Sequence, residues 1–155
     1  MKNQLLIIFA KNTSSGNVKS RLARSIGERK ALEIYLELSR RIQQACARLT
    51  CDVEIHYFPT VEKNDHWEVR NYNKFVQTGN DIGQRMHRAL TNGFAKGYGK
   101  ICVIGTDIYD LRKSMIESAF DVLSENDIVI GPSLDGGYYL IGMKKSRRAL
   151  FEGIP

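Results

Sequence analysis

Apolar positions fall into two patterns along this chain. Gln4-Leu-Leu-Ile-Ile-Phe-Ala10 is an unbroken run of strand-forming residues, which predicts a strand covered on both faces. Shorter runs of the same kind predict strands at Val53–Phe58, stopped by Pro59, and at Phe75-Val76, Ile101–Ile104, Asp127–Ile130 and Tyr139–Met143. Between them, apolar residues recur at helical spacing. Ile34, Leu38, Ile42, Ala45 and Leu49 predict one face of a helix over about Glu28–Leu49, with Arg41, Gln44 and Arg48 pointing away. Val18–Ser25 is expected to turn helical. Ile82, Met86, Ala89 and Leu90 predict a helix capped by Asp81 and ended by Gly97-Tyr98-Gly99. Met115, Ala119, Val122 and Leu123 predict another, from Leu111 to about Leu123, and a short helix should close the chain. The polar stretch Thr60–Asn73, with Trp67 as its one large anchor, reads as a short helix and loop. Strands alternating with helices imply an α/β fold of three layers, α/β/α, around a mostly parallel sheet, whose ligands bind at the carboxyl ends of the strands.

Length and composition narrow this. At 155 residues, a single core can bury roughly two-thirds of the surface the unfolded chain would expose, so one domain over 1–155 is expected. The longest apolar run, Leu5–Ala10, is far short of the roughly 20 residues of a membrane span. Three cysteines without a CxxC pair, Cys46, Cys51 and Cys102, suit a reducing, cytoplasmic setting. The net charge is +6, but it is local: residues 1–50 hold ten Lys or Arg against Glu28, Glu33 and Glu37, or +7. Several of these cations crowd one loop and the helix start after it, which points to a compact anion more than to nucleic acid. Arg40, Arg41 and Arg48 read as a solvated helix face.

Three loops at strand ends carry unusual chemistry. In Ala10-Lys-Asn-Thr-Ser-Ser-Gly-Asn-Val-Lys-Ser-Arg-Leu22, Lys11, Lys19 and Arg21 surround a turn in which Gly16 lets the backbone approach an anion. Arg21 offers a planar fork to two phosphate oxygens. The alternative is a solvated basic turn, and only Gly16-x-x-Lys19-Ser20 resembles a Walker A tail. In Gly105-Thr-Asp-Ile-Tyr-Asp-Leu111, Asp107 stands where a strand hands a side chain to a ligand; metal binding and capping are both open for it, and capping is expected of Asp110. In Gly131–Gly142, Asp135 precedes Gly136 and Gly137, a hairpin signal whose second glycine also suggests that something lies against the backbone. Tyr138 and Tyr139 can supply one core ring and one ring for a sugar or base. A fourth segment, Gln77-Thr-Gly-Asn-Asp-Ile-Gly-Gln-Arg-Met86, puts Arg85 one turn inside a helix, within reach of a carboxylate or phosphate. No histidine pair has metal-ligand spacing, and no nucleophile motif is present.

Four ordered motifs, Phe9-Ala10-Lys11 with Gly16-x-Val18-Lys19-x-Arg21-Leu22, Gln77-x-Gly79-x-Asp81-Ile82-Gly83-x-Arg85-Met86, Gly105-Thr106-Asp107, and Gly131-Pro132 through Asp135–Gly142, resemble the bacterial nucleotide-diphospho-sugar transferase-like family of glycosyltransferase A type, a domain-of-unknown-function group. The resemblance implies the Rossmann-like fold of those transferases. It implies a nucleotide held by Lys11, Gly16, Lys19 and Arg21 together with Gln77, Gly79, Asp81 and Arg85. It also implies a divalent metal, Mg²⁺ or Mn²⁺, on Asp107, a second substrate facing Asp135, Gly136, Gly137, Tyr138 and Tyr139, and catalysis by Asp107, Asp135 and Lys19. The family has a proline where Thr13 stands and Cys-Pro where Ile108-Tyr109 stands, and its members continue past Phe151–Pro155 into a further strand and helix, so a domain lacking that strand and helix is expected.

The expected activity is therefore a metal-dependent transferase using a nucleotide-sugar donor. The alternatives are a nucleotidylyltransferase acting on a nucleoside triphosphate and a phosphorylated small molecule, and a nucleotide-binding module without turnover. The expected partners are a nucleotide or nucleotide-sugar and a small-molecule acceptor, with no nucleic acid and no membrane span, and with a homodimer left open.

Overall fold

The computed structural model describes residues 3–15 and 18–153. Six strands form one sheet: β1 (Gln4–Lys11), β2 (Asp52–Phe58), β3 (Asn73–Val76), β4 (Lys100–Ile104), β5 (Ile128–Pro132) and β6 (Tyr138–Met143), in the order β3-β2-β1-β4-β6-β5. β1 to β4 are parallel, β6 is antiparallel to β4 and β5 is antiparallel to β6, so β6 alone runs against the rest. The helices are α1 (Ser20–Ile26), α2 (Glu28–Cys46), α3 (Ile82–Ala95) and α4 (Lys113–Glu125). None is long and apolar enough to cross a membrane.

The sheet is covered on both faces, as the unbroken run in β1 requires. Leu6 and Ile8 pack with Ile42 and Cys46 of α2 and with Ile116, Phe120 and Leu123 of α4. Leu5 and Ile7 point the other way, toward Met86 and Leu90 of α3 and Phe151 in the closing 3-10 turn, Arg148–Phe151. Period-two alternation in β1 thus feeds two cores. All three cysteines are buried and reduced, and burial pushes the Cys46 and Cys102 thiols up to about 12, so they behave as small hydrophobes.

Three local expectations need correction. α2 ends at Cys46, and its buried stripe is Ala31, Tyr35, Ser39, Ile42 and Cys46, whereas Ile34 is 39% exposed. Tyr35 and Ser39 are buried because tertiary hydrogen bonds satisfy their hydroxyls, and apolar periodicity cannot register such positions. Asp110 does not cap α4: Arg112, extended at φ −121° and ψ 150°, occupies the cap position without a side-chain cap bond, so the helix begins at Lys113 and Asp110 lies two residues before the cap position. α1 starts at Ser20, two residues later than expected, after Lys19 in a left-handed conformation at φ +49°.

The stretch between β2 and β3 is anchored by Trp67, 1% exposed, in the 3-10 turn His66–Arg70. This turn is tied to α2, where Ser39 Oγ lies 2.7 Å from His66 Nε2 and Gln43 Nε2 donates to the His66 carbonyl at 2.6 Å. Burial disfavours the charged imidazole and holds the His66 pKa below its ordinary value. The unfolded chain, with a histidine near 6.5, therefore binds more protons than the folded one, and stability rises with pH across this window. Urea unfolding should show stability lost as pH falls below about 6.5. A His66→Asn variant should show a shallower loss over the same range; an identical pH slope would contradict the assignment.

Candidate functional site

Pairing between β1 and β4 runs from Gln4↔Lys100 to Ile8↔Ile104 and stops there. Beyond that point the two chains diverge, and the strand order reverses beside β1, the position at which open α/β sheets place their crevice. A cavity of about 460 Å³ lies there. Phe9, Ala10 and Lys11 of β1, Phe58 of β2, Gln77 beyond β3, and Gly105, Thr106 and Asp107 beyond β4 line it, so the carboxyl ends of four parallel strands converge on one space. Lys19–Leu22 at the start of α1, Tyr35 of α2, and Ile82 and Arg85 of α3 complete the wall.

The structure thus brings together Lys11, Lys19, Arg21, Gln77, Arg85 and Asp107 from segments spread over almost a hundred residues. Among the described residues, no ion pair involves Lys11, Lys19, Arg21 or Arg85. α1 has only seven residues, so its dipole adds little and the positive field of this wall comes from side chains.

Arg85 is held in place. Its Nε donates to the Gly79 carbonyl at 3.2 Å, and its guanidinium carbon lies 3.7 Å from the centroid of the Phe58 ring. Gly79 sits at φ +141°, and a Cβ there would meet the Arg85 backbone nitrogen at 2.9 Å, which explains the glycine. Gln77 is buried and spends its amide on the backbone, donating to the carbonyls of His56 at 2.8 Å and Ala10 at 3.3 Å. It therefore shapes the cavity floor.

Other residues singled out by the sequence lie elsewhere. Gly79 and Asp81 do not line the cavity; Asp81 caps α3, accepting from the Gln84 amide at 2.8 Å. Asp135, Gly136 and Gly137 form the exposed β5–β6 hairpin. There Asp135 Oδ1 accepts from Ser133 Oγ at 2.5 Å and from the Gly137 amide at 3.0 Å, bonds that hold its carboxyl below the usual range. Of the two tyrosines, Tyr139 packs against the core and its ring fills the space above Gly131. Tyr138 is 39% exposed and directs its hydroxyl to Met86 Sδ at 3.9 Å. Gly16 falls outside the described residues.

Sequence reasoning passed over three contributors. Tyr35, Phe58 and the loop brace Glu62 carry no motif. Glu62 Oε2 accepts from the Thr13 amide at 3.0 Å, its other oxygen accepts from the Thr13 hydroxyl, and Asn12 Nδ2 donates to the Thr60 carbonyl at 3.1 Å. These bonds fix the path of the chain after β1 from 48 or 49 residues away. The one available signal was two polar residues, Asn12 and Thr13, directly after a buried strand.

A mostly parallel sheet with a single reversed strand, helices on both faces and a cationic crevice at the strand-order reversal defines an α/β protein of the nucleotide-diphospho-sugar transferase fold. Residues 41–155 match a family described as an uncharacterized protein conserved in bacteria (DUF2064), and the chain belongs to that family. A crystal structure from Desulfovibrio desulfuricans G20, which carries the provisional name of nucleotide-diphospho-sugar transferase, superimposes with a TM-score of 0.87 at 33% identity, over 99% of this chain and 69% of that one. A cytidylyltransferase from Leptospira borgpetersenii serovar Hardjo-bovis (strain JB197) shares the fold with a TM-score of 0.51 at 12% identity, over 98% of this chain and 63% of that one. No curated protein matches the chain.

The stacked pair on the cavity wall can be tested without any ligand. A double-mutant cycle of Arg85→Met and Phe58→Leu, read by urea unfolding, should give a coupling of about 0.5–2 kcal/mol, the range for a partly desolvated cation–π contact. Additive losses would show that the guanidinium is not held by the ring.

Proposed function

We propose that the crevice between β1 and β4 binds the phosphates of a nucleotide, and that the protein is a metal-dependent transferase using a nucleotide-sugar donor. One observation carries this reading: Lys11, Lys19, Arg21 and Arg85 line one cavity and none is paired with a carboxylate among the described residues. Gathering like charges without a counter-charge costs free energy, and a polyphosphate offsets that cost with charge-assisted hydrogen bonds. The name carried by the Desulfovibrio protein, at 33% identity, supports the same reading.

Asp107 is, among the described residues, the single carboxylate on the wall. Among the described residues, no group of three or more His, Cys, Asp or Glu side chains could cage a metal ion. One carboxylate combined with substrate phosphate oxygens is, however, an ordinary shell for a hard divalent ion, so the residues fit Mg²⁺ or Mn²⁺ shared between Asp107 and the nucleotide. When bound, such an ion would neutralise charge on the leaving diphosphate.

The chain's own part is positioning and charge stabilisation. Lys11, Lys19 and Arg21 orient the diphosphate, and Arg85, immobilised on Phe58, adds a fixed cation from the α3 side. In glycosyl transfer the bond from the sugar's anomeric carbon to the diphosphate oxygen breaks, an acceptor oxygen bonds to that carbon and releases its proton to solvent, and a nucleoside diphosphate leaves. The negative charge that develops on the leaving oxygen is what these cations stabilise. β5 runs parallel to β1 and β4, so the Asp135 hairpin projects from the same end of the sheet, and we place the small-molecule acceptor on that side. The same surplus of positive charge also suits a nucleoside triphosphate, which keeps nucleotidylyl transfer to a phosphorylated small molecule as the second reading.

Lys19→Ala and Arg21→Ala should each weaken nucleotide affinity by roughly 1.5–3 kcal/mol, as for hydrogen bonds to charged groups, with little change in Tm. Asp107→Asn should remove the part of that affinity that depends on Mg²⁺. Calorimetric titration with nucleotides and nucleotide-sugars checks both effects, and unchanged affinity in all three variants would remove the phosphate site. Pyrophosphate release from a triphosphate would select the second reading, and nucleoside diphosphate release from a nucleotide-sugar the first.

A further inference from the structure

We propose that Tyr35 is a positioning residue that sets the distance between the phosphate-binding end of β1 and the metal-binding loop after β4. The proposal rests on the nucleotide reading given above. Hydrogen-bonded pairing of β1 with β4 ends at Ile8↔Ile104, so Ala10–Lys11, which stay paired with β2, and Gly105–Asp107 have no ladder between them. The phenol of Tyr35, 5% exposed on the inner face of α2, fills that gap. Its oxygen accepts from the Lys11 amide at 2.8 Å and from the Thr106 hydroxyl at 3.2 Å, and its proton goes to the Lys11 carbonyl at 3.3 Å.

A phenol has one hydrogen and two lone pairs, and all three are spent on the two loops. Thr106 is itself buried and immediately precedes Asp107, so the bridge acts on the backbone of Lys11 itself and one residue before Asp107. Burial keeps the phenol protonated by raising its pKa, which preserves the donor. A divalent ion held by Asp107 beside phosphates at Lys11 would need the end of β1 and the loop after β4 at a fixed separation. Water in place of the phenol would leave both loops intact and their spacing loose.

The test uses inorganic pyrophosphate as the probe, titrated with and without Mn²⁺. In the wild type, Mn²⁺ should strengthen pyrophosphate binding. In Tyr35→Phe, which keeps the ring in the core, that Mn²⁺-dependent enhancement should fall by about tenfold, the upper range for one lost hydrogen bond, and by more than metal-free pyrophosphate binding falls. Thr106→Val should repeat the effect from the other loop, and Thr106→Ser, which keeps the hydroxyl, should restore it. Amide hydrogen exchange supplies a readout that needs no ligand: exchange at Lys11 should accelerate in Tyr35→Phe. Unchanged enhancement in Tyr35→Phe and Thr106→Val, or unchanged exchange at Lys11, would overturn the positioning role alone. Absence of any pyrophosphate binding in the wild type would overturn the nucleotide reading and this proposal with it.

Discussion

A parallel sheet sandwiched between helices fills its central strand with apolar side chains and leaves room for a ligand where its strands stop pairing, and that constraint organises this protein. Four consecutive residues of β1, Leu5 to Ile8, are fully buried. Pairing on both sides of the strand spends its backbone groups as well. Chemistry is thereby displaced to the carboxyl ends, where the reversal of strand order beside β1 forces the neighbouring chains apart. The crevice is a consequence of topology, and the side chains around it were free to become cationic because nothing in the core depends on them.

Charge elsewhere is handled differently. Lys74 pairs with Asp65 at 2.9 Å, and Lys96 pairs at 2.6 Å with Glu54, which also contacts His56 at 2.9 Å. Although burial alone would raise it, those hydrogen bonds hold the Glu54 carboxyl below its ordinary value. On the helix surfaces Arg29–Glu33, Arg41–Glu37 and Lys113–Glu117 pair at i,i+4 spacing. Such surface pairs contribute little stability. At the crevice Lys11, Lys19, Arg21 and Arg85 face one space in which Asp107 is the one carboxylate among the described lining residues, and it is on this wall that the proposed polyanionic ligand rests.

The strands were legible in the sequence because a strand buried on both faces must be written in apolar residues, and Gln4–Lys11 is. The Asp81 cap and the Asp135 hairpin were legible because each rests on hydrogen bonds spanning two or three residues. The face of α2 was not. Its buried stripe includes Tyr35 and Ser39, whose hydroxyls are satisfied by Lys11, Thr106 and His66, partners 24 to 71 residues away. The same limit applies to the crevice: motifs named Lys11, Lys19, Arg21, Arg85 and Asp107, but the Phe58 platform and the Tyr35 bridge exist only once β1, β2 and β4 lie side by side. Local pattern located the crevice-lining charges, and tertiary contact decides how they are held.

The central claim is that this crevice binds nucleotide phosphates with a divalent ion. The most direct measurement is a thermal-shift panel of nucleoside diphosphates, triphosphates and nucleotide-sugars, each with and without Mg²⁺ or Mn²⁺, and with short duplex DNA as a control. A ligand at about 100 times its Kd adds roughly 2.7 kcal/mol of stability, a readily measured shift for a chain of this size. Metal-dependent stabilisation by one class of nucleotide, with none from DNA, is the predicted result. No shift with any nucleotide in the presence of metal would contradict the account.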